Sequence, residues 1–154
     1  MKIRDFMIRN VISVQQDTSV KDLLKLLVKY KIGGVPVVDS ENRLKGMISD
    51  GDIIRYLQPK AQTVYDMFAF IYVEEGEELQ ETIAKKLNHP VKKLLKPRRI
   101  FVVGPDDDLE KAFQILSKHH FKKIPVVDSN QKVVGVISRG DLVRVITNKL
   151  IVDE

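Results

Sequence analysis

Two short stretches, Ser49-Asp50-Gly51-Asp52 and Ser138-Arg139-Gly140-Asp141, each set a hydroxyl three residues ahead of a carboxylate, just before a run of apolar residues. A helix starting there leaves backbone N–H groups unpaired and carries a partial positive charge, which suits a phosphate; the serine hydroxyl adds a hydrogen bond. The aspartate, one turn in, can accept from two adjacent ribose hydroxyls. The same spacing is also a capping box, in which serine and aspartate satisfy the helix itself and need no ligand. Ser19-x-x-Asp22 and Asp107-x-x-Glu110 are equally good caps where no ligand is expected. Spacing alone leaves both readings open.

The surroundings of the two serines differ. Phe121-Lys122-Lys123-Ile124 precede Pro125, but Ile32-Gly33-Gly34-Val35 precede Pro36, and Arg139 follows Ser138 where Asp50 follows Ser49. Cations gather in the second stretch, so Ser138 and Asp141 with Lys122, Lys123 and Arg139 are expected to form the main anion-binding cleft, and Ser49 with Asp52 a weaker one. Catalytic chemistry has little to work with. The chain has no cysteine, His89, His119 and His120 lack metal-ligand spacing with carboxylates, and neither serine has a histidine nearby in sequence. No catalytic residue, metal or catalytic cofactor is expected. Gly33-Gly34 and Gly51 fit neither the G-x-G-x-x-G nor the Walker A pattern.

The elements that must position these residues occur twice. Thr18 to Leu57 aligns with Asp107 to Ile146 at a constant offset of 89, so that Val35-Pro36-Val37-Val38-Asp39-Ser40 returns as Ile124-Pro125-Val126-Val127-Asp128-Ser129 and Arg55 as Arg144. Val11 to Val14 matches Ile100 to Val103 at the same offset, whereas Phe6-Met7 matches Leu94-Leu95 at 88. Each copy reads as a short strand, an amphipathic helix (Val20, Leu23, Leu24, Leu27, Val28; Leu109, Ala112, Phe113, Leu116), two β-branched strands joined by a polar turn, and a closing helix. The expected fold is therefore mixed α/β, two β-α-β-β-α units that are each too small to bury a core alone and so pack about a pseudo-twofold axis. Residues 1–57 form the first repeat, 58–89 a connecting insert, 90–150 the second repeat and 151–154 a tail. In the insert, the aromatic-rich Val64 to Tyr72 and the following Glu74 to Leu87 both read as helical.

At 154 residues, with 44% hydrophobic and 31% charged side chains, one folding unit is expected. No apolar stretch reaches the ~18 residues of a membrane span. The opening residues show no apolar h-region or cleavage signal, so a cytoplasmic location is expected. The net charge of +5 is uneven: residues 90 to 150 hold thirteen Lys/Arg against six Asp/Glu. Lys92, Lys93, Lys96, Arg98, Arg99, Lys122 and Lys123 make nucleic-acid binding the rival reading, although no helix-turn-helix, RNP-like or zinc-finger pattern accompanies them. An interaction module with an empty cleft is a third.

The pattern of strand, helix, Val/Ile-Pro-Val-Val-Asp, hairpin and Gly-apolar-Ile-Ser-x-x-Asp, present twice, closely resembles the CBS family, in the tandem arrangement called a Bateman module. The resemblance covers nearly the whole chain outside residues 58–89. It implies a non-catalytic regulatory sensor that binds AMP, ADP, ATP or a related adenosyl compound between the repeats, with S-adenosylmethionine and cyclic dinucleotides as other candidates. It also implies a homodimer. In similar proteins the matching serine or threonine contacts phosphate, the matching aspartate contacts ribose, and His or Arg often stands where Lys122 and Lys123 stand here. By the same analogy the base in the main cleft lies near Met7, Ile12, Ile32 and Gly33, and in the weaker cleft near Phe101 and Phe121. These 154 residues show no effector domain, so output is expected to pass to a partner protein not yet known or through the dimer.

Overall fold

The computed structural model describes residues 1–59, 63–67, 70–74, 76, 78–97, 100–118 and 122–151. The first repeat comprises β1 (Val14–Gln15), α1 (Val20–Tyr30), β2 (Gly34–Val38), β3 (Leu44–Ser49) and α2 (Asp50–Leu57). The insert holds β4 (Thr63–Met67), β5 (Phe70–Glu74) and α3 (Leu79–Lys86). The second repeat has α4 (Leu109–Ser117), β6 (Lys123–Val127), β7 (Val133–Ser138) and α5 (Arg139–Ile146). Ser19 caps α1 by accepting from the Asp22 N–H at 3.1 Å, and Val20, Leu23 and Leu27 form its buried face.

The two repeats share their strand register. Gly34 pairs with Ser49 and Val37 with Gly46, as Lys123 pairs with Ser138 and Val126 with Gly135, and a bulge follows at Val37/Val38 and again at Val126/Val127. The expected leading strands are cut short: β1 has two residues, paired in parallel to Val37 and Val38, and its counterpart is one bridge, Val103 to Val126. Proline accounts for this. The Val103 N–H donates to the Pro125 carbonyl at 3.3 Å, so the Pro125 nitrogen faces the same neighbour, and having no hydrogen it cannot extend the ladder. Ile100 and Phe101 therefore diverge from β6, and Ile12 is likewise left outside the pairing of β1.

The segments ahead of the repeats are exchanged. Ile3 is buried in the second core, with its N–H on the Asp107 carbonyl at 3.0 Å, while Val91 is buried in the first core, with its N–H on the Thr18 carbonyl at 2.8 Å. Met7 then lies on Gly135 and Leu95 on Gly46, filling the space a β-carbon would take. The change of offset from 88 to 89 falls where each segment crosses between repeats. A third cluster, Val38, Val127 and Val133 with Val11, Leu44 and Val102 against it, joins the halves. There the Leu44 N–H donates to the Gln131 carbonyl and the Val133 N–H to the Asn42 carbonyl, both at 3.0 Å.

The helix expected over Val64 to Tyr72 is corrected: β4 and β5 pair antiparallel, with Tyr65 opposite Tyr72. Valine, isoleucine, tyrosine and phenylalanine favour the pleated conformation, and that preference outweighs the helical reading here. The helix expected over Glu74 to Leu87 is present as the shorter α3.

Candidate ligand-binding site

Both four-residue stretches form their caps. The Asp52 carboxylate accepts from the Ser49 N–H at 2.9 Å and hydroxyl at 3.1 Å, and the Ser49 hydroxyl in turn accepts from the Asp52 N–H at 3.2 Å. Asp141 repeats the arrangement with Ser138 at 2.7, 2.9 and 3.2 Å. Both aspartates are buried, and each gives its other oxygen to an arginine one turn on, Arg55 at 2.9 Å for Asp52 and Arg144 for Asp141. The cap reading therefore holds at both helices, and the surroundings must decide where a ligand fits.

A cavity of about 510 Å³ opens between the repeats at the Ser49 end. The first repeat lines it with Gly33, Gly34, Met47 and Ile48, and with Ser49, Asp50, Gly51, Asp52 and Arg55 around the start of α2. The second repeat contributes Ile100, Phe101, Lys122, Lys123, Pro125 and Ser138. Ile100 and Phe101 reach it because the ladder stops at Val103, and with Pro125 and Met47 they give it apolar walls. A few convergent polar groups on such walls are the usual make-up of a small-molecule site.

The residues expected in two clefts are thus distributed differently. Lys122, Lys123, Gly33 and Ser138, grouped with the main cleft, line this one cavity together with Ser49, Asp52 and Phe101 from the other group. The pseudo-twofold axis sets the start of β6 against the start of β2, so the lysines of the second repeat face the glycines of the first. Asp141 lies outside the lining, and Arg139 turns back, its Nε on the Leu116 carbonyl at 3.2 Å at the end of α4. Met7 packs against the second core, and Ile12 and Ile32 against the first. Phe121, His119, His120, Arg98 and Arg99 lie outside the described residues. Sequence reasoning passed over Asp50, Arg55, Ile100 and Pro125; the return of Arg55 as Arg144 was the available signal for one of them.

Lys123 is the least ordinary group in the cavity. Its ammonium donates to the Gly34 carbonyl at 3.2 Å, across the junction of the repeats. Burial holds its pKa below the free-lysine value of 10.5, against the opposing pull of the Asp141 charge. Lys122, beside it, is exposed, as are Lys92, Lys93 and Lys96, so the basic cluster is divided between the cavity and the surface.

Among the described residues no helix is long and apolar enough to cross a membrane. A family model described as the CBS domain matches residues 3–59 and again 91–148. The chain is 34% identical over 148 residues to the CBS domain-containing protein CBSX2, chloroplastic, of Arabidopsis thaliana, covering 92% of this chain and 62% of that protein's length. It is 28% identical to the uncharacterized protein MJ1426 of Methanocaldococcus jannaschii, over 93% of this chain and 89% of that one. Among solved structures, CBSX2 in complex with AMP superposes with a TM-score of 0.72 at 32% identity, over 96% of each chain. The CBS domain pair of MJ0100, in complex with 5-methylthioadenosine and S-adenosyl-L-methionine, shares the fold with a TM-score of 0.70 at 19% identity, over 97% of this chain and 98% of that one. Two domain matches that coincide with two pseudosymmetric halves leave one assignment: the chain belongs to the CBS-domain family and carries the domain as a tandem pair.

Proposed function

We propose that this chain is a non-catalytic regulatory sensor that binds an adenine nucleotide, AMP, ADP or ATP, in the cavity between its repeats. The observation that carries the reading is the meeting of Ser49 and Asp52 from one repeat with Lys122 and Lys123 from the other around a single partly apolar cavity. The AMP complex of CBSX2, at 32% identity, supports the ligand class. Ile100, Phe101, Met47 and Pro125 offer apolar surface to a flat base. The Asp52 carboxylate, in the cavity lining, is of the type that accepts from vicinal ribose hydroxyls. A ligand touching both repeats favours one relative arrangement of them by its difference in affinity for the two, and that difference is the signal.

The signal is read by a second copy and by an effector protein. Ile54 and Val143, equivalent in the two repeats, leave β-branched side chains 68% and 61% exposed on α2 and α5, which supports a homodimer built on the closing helices. Calorimetric titration with AMP, ADP, ATP, S-adenosylmethionine and GTP tests the function. Saturable binding of the adenine nucleotides over GTP is expected, whereas tight, salt-sensitive binding to DNA or RNA with no nucleotide response would favour the nucleic-acid reading instead.

A further inference from the structure

The two crossings that exchange the leading segments are equivalent in backbone and opposite in charge. At the first, Lys2 pairs with Asp108 at 2.8 Å, Arg4 with Asp106, and Lys111 with Asp107 at 2.9 Å. Three cations there face five carboxylates, Asp5 and Glu110 completing the set. At the second, residues 17–22 and 90–93 hold the matching positions, and the three lysines Lys21, Lys92 and Lys93 face only Asp17 and Asp22.

The fold does not require this difference in charge. The Thr18 hydroxyl accepts from the Gln15 N–H at 3.1 Å, the place that the Asp107 carboxylate fills for the Gly104 N–H at 2.7 Å. Ser19 caps α1 where Asp108 stands before α4. Main-chain bonds hold the second crossing itself, the Lys21 N–H on the Leu87 carbonyl at 2.9 Å and the Lys92 N–H on the Gln16 carbonyl at 3.0 Å. Neutral caps thus keep the turn without supplying counter-charge, and Lys21 and Lys93 stand where the first crossing has Glu110 and Asp5. Val91 and Leu94 bury one side of the 3-10 helix Val91–Leu94, which leaves Lys92 and Lys93 exposed, and Lys96 after them. Lys25, one turn beyond Lys21 on α1, adds a fifth exposed lysine. None of the five is ion-paired among the described residues. Cations in such excess repel one another, and an anionic partner relieves that repulsion.

We infer that this basic crossing is a docking surface for an acidic segment of a partner protein. Neither 17–25 nor 90–97 holds an aromatic residue to stack on a base or an arginine to grip a phosphate with two hydrogen bonds, which sets a nucleic acid behind an acidic peptide. Lysine point charges spread over two elements suit carboxylates spaced along a chain. None of these lysines lines the cavity, so the surface is separate from the proposed nucleotide site, and only the partner's role as effector rests on that reading.

Fluorescence anisotropy on the full chain, with a labelled glutamate-rich peptide and with oligothymidylate of equal net charge, tests the surface. At low salt, Lys92→Glu with Lys93→Glu should weaken the peptide roughly tenfold or more, and Lys21→Gln with Lys25→Gln about threefold. The charge-matched Lys118→Glu with Lys149→Glu should weaken it by less than about twofold. All six lysines are exposed, so each variant should melt close to wild type. Equal weakening by the two charge reversals would reduce the effect to net charge and overturn the proposal, as would a wild type that does not bind the peptide. Tighter binding of oligothymidylate through the same lysines would overturn it in favour of a nucleic acid. Peptide binding by a wild type that takes up no AMP would support the surface and overturn the nucleotide reading alone.

Discussion

At Lys123 a half-buried lysine ammonium gives up part of its water for one backbone carbonyl, and the charge of Asp141 does not fully compensate. Because its folded pKa lies below that of the unfolded chain, the sign of the pH effect follows. Below the folded pKa the buried charge lowers stability, and the penalty is relieved as pH rises through that value toward 10.5, where the unfolded chain binds more protons. Ligand affinity runs the other way. AMP binding should weaken on raising the pH from neutrality through a value below 10.5, where an exposed lysine would still be charged. The same titration on Lys123→Met should be flat, and a wild-type affinity independent of pH across that window would count against the role of the lysine. Sequence reading saw this lysine pair and its charge and grouped them with Ser138, which lines the same cavity. Only the axis that turns one copy onto the other brings them to Ser49, and a one-dimensional pattern does not contain that axis.

Among the elements, the strands and helices of each copy were legible because register and amphipathic spacing repeat residue by residue. The leading strands were overestimated because Pro36 and Pro125 were read as part of a strand motif and not as the end of a parallel ladder. The insert hairpin was misread because a short apolar run suits either period and its aromatic, β-branched composition was given too little weight. The exchanged segments make their own prediction. The three atoms nearest a β-carbon at Gly46 would all belong to the Leu95 side chain, the closest at 2.6 Å, whereas at Gly135 it would meet the Met7 side chain at 2.6 Å and also the Ile8 carbonyl at 3.1 Å. Leucine can move aside and a paired backbone cannot, so Gly135→Ala should cost roughly 1–3 kcal/mol and Gly46→Ala less. Urea unfolding of the two variants ranks them, and the opposite order would mean that the crossing segments do not pack as described.

For the whole molecule, two small units become one body by trading their leading segments and by sharing the cluster around Val38, Val127 and Val133. A cavity at the junction of two such halves is sensitive to their relative placement, and on the proposed function that is how a ligand there would act as a signal. The exposed Ile54 and Val143 carry the expected contact with a second copy. Ile54→Glu with Val143→Glu should shift the protein from dimer to monomer in light scattering while leaving its melting in dilute solution little changed; an unchanged mass would remove these helices from the interface. The most direct test of the central claim uses the two aspartates, which are equivalent in the caps but not in the cavity. Asp52→Ala and Asp141→Ala should each lower stability by about 1 kcal/mol. Calorimetric titration should then find one AMP per chain in wild type, none in Asp52→Ala, and an affinity for Asp141→Ala within about threefold of wild type. Loss of binding in Asp141→Ala with Asp52→Ala unaffected would contradict the account.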